Sequence, residues 1–281
     1  MRGAVLVATL GSALAVASRA SADWEVHRSG TQELTERAAR AFAEKPGDAL
    51  ARQLLSRAGK ARRDELRGRF CADVRGPTVR ADDALRCATL LFALGSDDAA
   101  AMFARAATLQ PTLSAFEGAG RALERAGRTA EARASYEQAL TLARRPTDER
   151  RLLEATLGLD DASFEPARQL VLVERLAALA PHNAALVDRR VDLLEKLGRR
   201  GDAADALEAF GARARDGERF SFALRAAQMR DAAGDGERAA AALTSLLART
   251  PRDATERRRL AWERAVDVAR HREALPALAV E

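Results

Sequence analysis

Three histidines (His27, His182 and His271) and two cysteines (Cys71 and Cys87) are the side chains of this 281-residue chain best suited to metal ligation or nucleophilic catalysis. Metal binding needs them at ligand spacings such as H-E-x-x-H, and covalent catalysis needs a base within reach of the nucleophile. The histidines lie far apart and match no such spacing, and with the cysteines they make no zinc set. There is no P-loop and no G-x-S-x-G. Gly118-Ala119-Gly120 does not continue as G-x-G-x-x-G and follows no strand pattern. Carboxylates are plentiful, and none stands apart from a salt-bridged surface. Burial-shifted carboxylate pairs are the one catalytic route that a sequence would hide. The expectation is therefore no catalytic residue, no cofactor, no metal site and no enzyme activity.

The cysteines have a second possible role. Between them lies "ADVRGPTVRADDALR", whose Gly76-Pro77 is a turn signal. Helices on either side would run antiparallel, with Cys71 and Cys87 facing each other at an offset. A disulfide is favoured over two buried free thiols, and it requires an oxidising compartment. The N-terminus agrees with that compartment. It reads "MRGAVLVATLGSALAVASRASADWEV", with Arg2 as a positive start, an apolar run over 3–18, and Ala20-Ser21-Ala22 in the A-x-A pattern of a cleavage site. Residues 1–22 are expected to be a signal peptide cleaved after Ala22, giving an exported and most simply periplasmic protein. The alternative is an uncleaved anchor, because the apolar run approaches the length of a span.

Charge does not point to nucleic acid. The 46 basic residues, all arginine except Lys45, Lys60 and Lys196, are interleaved with 41 acidic ones for a net +5. Dense clusters are short: "ARRDELRGR" at 61–69, "RR" at 144–145 and "ERRR" at 256–259. No series of aromatics accompanies them to stack on bases. A solvated, ion-paired helical surface is the favoured reading, with no nucleic-acid partner and no membrane contact beyond export.

Abundant alanine and leucine, few aromatics and scattered β-branched residues favour helix. The punctuation shows how the helices are organised. Pro111, Pro146 and Pro181 are 35 residues apart; Pro251 falls two periods later, with Asp216-Gly217 at the skipped place and Gly76-Pro77 one period earlier. Each period has a second break near its middle: Gly95, Gly127, Gly158, Gly198 and Gly234, each followed by residues able to cap a new helix. Each unit is thus two helices of roughly 12–15 residues joined by a tight turn. After the mid-unit glycines, Ala99, Phe103 and Ala106 share one face, as do Ala132, Tyr136 and Ala139, then Ala203, Leu207 and Phe210, and Ala239, Leu243 and Leu246. Phe116, Gly120 and Leu123, and later Val187, Val191 and Leu194, form the matching first-helix face. Such a hairpin cannot bury its apolar face alone, so neighbours must stack.

In "AFEGAGRALERAGRTAEARASYEQALTLARRP" and "FALRAAQMRDAAGDGERAAAALTSLLARTP" the pattern resembles the tetratricopeptide repeat, a 34-residue helix–turn–helix unit. The resemblance implies an all-α, right-handed superhelical solenoid of antiparallel helix pairs, about five to six units. The expected hairpins are 77–111, 112–146, 147–181, 182–216 and 217–251. Residues 23–76 are expected to form an N-terminal cap or degenerate repeat, and 252–281 a partial repeat or C-terminal cap. The 147–181 unit is the poorest match: its first helix looks short and "SFEP" interrupts the approach to its second. Trp262 reads as a core residue of the last helix.

In the resembled family, first helices line the concave side and meet a partner. The corresponding outward positions here are Glu117, Arg121, Glu124 and Arg125; Asp188, Asp192, Glu195 and Lys196; and Leu224, Gln228 and Asp231. This face leans acidic, and it lacks the basic set with which some family members clamp a C-terminal carboxylate. The expected ligand is a neutral-to-basic segment of another envelope protein. By resemblance, the leading expectation is a non-catalytic interaction scaffold in a bacterial cell envelope. The alternatives are an accessory subunit of an envelope enzyme or transport machine, and a binder of cell-wall polymer or anionic lipid through the arginine clusters.

Overall fold

Residues that lose little side-chain entropy in a helix dominate the chain, and the fold follows suit. A computed structural model describes residues 32–271, apart from 73, 75, 77 and 160–162; the described residues hold fourteen α-helices and no strand. The expected signal segment and its cleavage site, His27, Pro77 and the stretch containing Pro276 lie outside the described residues.

The chain divides after Leu142 into two compact units. The first holds α1 (32–44), α2 (Ala49–Ser56) and α3 (Lys60–Cys71), then the hairpins α4 (Ala81–Ala93) with α5 (Ala99–Leu109) and α6 (Leu113–Arg125) with α7 (Thr129–Leu142). The second holds α8 (Pro146–Gly158) with α9 (Pro166–Leu179), α10 (Ala184–Lys196) with α11 (Arg200–Gly211), α12 (Asp216–Ala232) with α13 (Gly236–Arg249), and the single helix α14 (Thr255–His271). Helices adjacent in sequence pack on one another within each hairpin and from α4 to α7 and α10 to α14.

The turns within hairpins explain the glycine punctuation. Gly127 has φ 73°, which disfavours any residue with a Cβ, and the Arg128 N–H returns to the Leu123 carbonyl at 2.9 Å. The same closure recurs after Gly95, Gly198 and Gly234. Gly158 is different. It is the last residue of α8, and the chain leaves through an extended Leu159.

That difference corrects the reading of 147–181. Its first helix is not short: α8 has 13 residues, the same as α6 and α10. "SFEP" does interrupt the approach, with 163–165 lying between the two helices. Pro166 occupies the first turn of α9, where its missing N–H would have had no partner, and Phe164 before it is buried.

The alternation of small and large residues builds the core. Ala132, Tyr136 and Ala139 are buried, as are Ala99, Phe103 and Ala106, then Ala203, Leu207 and Phe210. In the first unit Phe42, Leu55, Leu66, Leu90 and Leu94 form one cluster, against which Phe70 and Cys71 pack. Cys71 and Cys87 are joined by a disulfide, with Cα atoms 5.1 Å apart, tying α3 to α4. In the second unit Ala227, Ala239, Leu243, Ala265 and Val268 gather α12, α13 and α14. Trp262 is not a core residue: it is 55% exposed. The buried positions of α14 are Ala261, Ala265, Val268 and Ala269, and a residue next to Ala261 is turned about 100° from it.

Candidate interaction surfaces

The outward first-helix positions divide into two sets, one in each compact unit. In the first unit, α6 carries all four. Glu124 accepts a 2.6 Å hydrogen bond from the Tyr136 hydroxyl of α7. Arg125 lies 4.1 Å over the Phe92 ring and donates to the Phe92 carbonyl at 2.6 Å, which closes the C-terminal end of α4. Arg121 lies 5.5 Å over the same ring. Glu117 is half-buried and also engaged. These side chains face away from the core of their own hairpin, but Arg121 and Arg125 reach the preceding one, and Glu124 anchors the tyrosine within.

Tyr136 is the chain's only tyrosine, and burial, followed by the Glu124 carboxylate, raises its pKa well above the ordinary phenol value. A raised folded pKa stabilises the fold fully below the unfolded value of about 10, and the contribution is lost as pH rises through the folded value. In an alkaline titration, tyrosinate absorbance should therefore appear only together with loss of the helical circular-dichroism signal. Tyrosinate forming at its ordinary pKa with helices intact would contradict the buried, hydrogen-bonded phenol.

In the second unit the outcome is mixed. Asp188 of α10 accepts from Arg225 of α12 at 2.6 Å, and Asp231 of α12 meets His271 of α14 at 2.8 Å. Leu224 packs against the Ala227–Leu243 cluster. Gln228 is half-buried. Asp192, Glu195 and Lys196 remain: all three are exposed on the C-terminal half of α10, and no ion pair joins them to another described residue. Asp192, Glu195 and Lys196 together make a short, mainly acidic exposed patch on α10.

The arginine clusters are largely consumed by the fold. Arg62 and Arg69 both donate to Glu36 and hold its carboxyl below the usual range, Arg62 having the larger influence. Arg63 donates to the carbonyls of Ala58 and Ser56. In the last cluster Arg258 donates to the Leu247 and Thr250 carbonyls, Arg259 pairs with Glu256 and Glu263, and Arg257 lies over the Phe220 ring. Sequence reasoning missed a related device. Arg105, Arg125, Arg189 and Arg200 each reach a carbonyl roughly one period away, at Gly76, Phe92, Leu157 and Ala232. Three of these carbonyls belong to the last turn of a helix or its cap, where a cation is electrostatically favoured. The signal was present as arginines spaced 32–33 residues from the helix ends that they close.

Among the described residues no group of three or more His, Cys, Asp or Glu could hold a metal ion. Repeated hairpins on a 35-residue period, four of them closed by the same glycine turn and packed through alternating small and large residues, remain as the defining geometry. No protein-family model matches the chain, and no curated protein matches it in sequence. A chain in the structure of Naa15/Naa10 bound to HypK-THB is similar to it over 87% of its length, with a TM-score of 0.55 and 16% identity. The fold is an all-α helical repeat. The chain spans only 35% of that solved relative. A tetratricopeptide repeat protein from Parabacteroides merdae also matches, at 17% identity and a TM-score of 0.33, covering 87% of this chain and 96% of its own.

Proposed function

We propose that the protein is a non-catalytic interaction scaffold that takes a neutral-to-basic segment of another protein on the exposed face of α10. The observation that carries this reading is the unpaired state of Asp192 and Glu195 on a surface where Asp188 is paired with Arg225 and Asp231 is hydrogen-bonded to His271. Two carboxylates with no internal counter-charge attract a cationic ligand and steer its approach. A bacterial cell envelope is the setting we propose, with residues 1–22 as the export signal. The Cys71–Cys87 bridge supports an oxidising compartment. No helix among the described residues is long and apolar enough to cross a membrane. We read 77–251 as five repeat units, flanked by 23–76 and 252–281 as caps. Capture of the cell-wall polymer through arginine clusters is a weaker reading, because most of those guanidiniums already have internal partners.

Reversing charge with Asp192→Lys and Glu195→Lys should abolish crosslinking to the partner recovered from the envelope fraction while leaving helix content and Tm unchanged. Crosslinking that persists at the wild-type level would remove α10 from the interface. Asp188→Lys is a poorer probe, because it also breaks the pair between α10 and α12.

A further inference from the structure

A cleft of about 360 Å³ opens beside the disulfide in the first unit, between the end of α3 and the start of α4. Three arginines, Arg69, Arg80 and Arg86, line it against a single acid, Asp83, with Phe70 as an apolar wall. Converging like charges repel unless counter-charge is supplied. The protein supplies it only in part. Arg69 donates to Glu36 at 3.1 Å. Arg86 comes no closer than 3.5 Å to Asp83, and Arg80 no closer than 3.9 Å to Asp82, so neither is held by a good hydrogen bond. The Arg86 Nε is buried and no acceptor meets it. A buried donor without an acceptor is destabilising and is normally satisfied. Arg80 also occupies the N-cap of α4 without capping it, leaving the first amides of that helix without a side-chain acceptor from that position. The disulfide joins the residues next to Phe70 and Arg86 and so fixes the two walls against each other.

We propose that this cleft binds a phosphate- or sulfate-type oxyanion through Arg86 and Arg80. Guanidinium forks match such oxygens in pairs, and the cleft has the size for a headgroup rather than for a folded partner. The site lies in the other compact unit from Asp192 and Glu195, so it stands even if α10 binds nothing.

The test uses the full oxidised chain. Inorganic phosphate is titrated at constant ionic strength by calorimetry, and vesicles of phosphatidylglycerol are compared with vesicles of phosphatidylcholine by co-sedimentation. Saturable phosphate binding identifies a free ion as the ligand; binding to phosphatidylglycerol vesicles alone identifies a lipid headgroup. In either case Arg80→Gln with Arg86→Gln should weaken binding about tenfold or more. Arg128→Gln, which removes an exposed pair with Glu131, should leave it unchanged. Arg80 is exposed, so Arg80→Gln alone should still fold and bind several-fold more weakly. The proposal is overturned if neither probe binds, or if the Arg80 and Arg128 variants lose the same amount.

Discussion

Gly120→Ala should destabilise the first unit by about 2 kcal/mol, although alanine is by far the better helix former. A Cβ built on Gly120 would sit 2.6 Å from two atoms of the Tyr136 ring. The ring has little room to give. It is 1% exposed, and its hydroxyl is held by Glu124. Overpacking therefore outweighs the gain in helix propensity of about 1 kcal/mol. The measurement is thermal unfolding combined with a double-mutant cycle. In a Tyr136→Leu background the same glycine substitution should cost much less, because the ring it strikes is gone. An additive cycle would mean that the close approach is not what glycine serves. Gly118 makes a similar approach to the Phe103 ring, at 2.3 Å from its Cε1. The two glycines thus let α6 meet an aromatic from α5 on one flank and one from α7 on the other.

The second large effect concerns the disulfide. Replacing Cys71 and Cys87 by serine should destabilise the first unit by about 3 kcal/mol, the loop-closure value for a bridge of this span. The sequence separation is 16 residues. Cys87 is fully buried, so a serine there would also put a hydroxyl into an apolar site and push the loss upward. Thiol counting on unreduced protein in denaturant should find none, and two after reduction. Two thiols before reduction would show that the bridge does not form. Denaturation with and without reductant should then differ for the first unit while leaving the second unchanged.

The period of the fold could be read from prolines and glycines because both residues act locally. Glycine at 95, 127, 198 and 234 takes the backbone conformation that its neighbours in a hairpin turn require. Buried faces were legible for the same reason: Ala132, Tyr136 and Ala139 are placed by helical spacing alone. The first helix of 147–181 was misread as short because Gly158 ends α8 without the left-handed turn that closes the other hairpins. Trp262 was misread because bulk suggested burial, whereas α14 buries alanines and a valine instead. The surface was least legible. Glu124 is held by Tyr136 of its own hairpin and Arg125 by Phe92 of the preceding one, and helical spacing shows neither contact. Outward on one hairpin means free only when the neighbour's reach is known.

The arginines that reach back along the chain bear on how it is made. Arg105, Arg125 and Arg189 each complete the hydrogen bonding of a segment that precedes them by 29 to 33 residues. A ribosome releases residues in order, so the end of α4 emerges well before the guanidinium that closes it. Each such hairpin spends an interval of synthesis with open carbonyls and an uncovered apolar face. Nascent-chain folding should accordingly trail translation by about one hairpin, and it is during that interval that a chaperone would find its binding site.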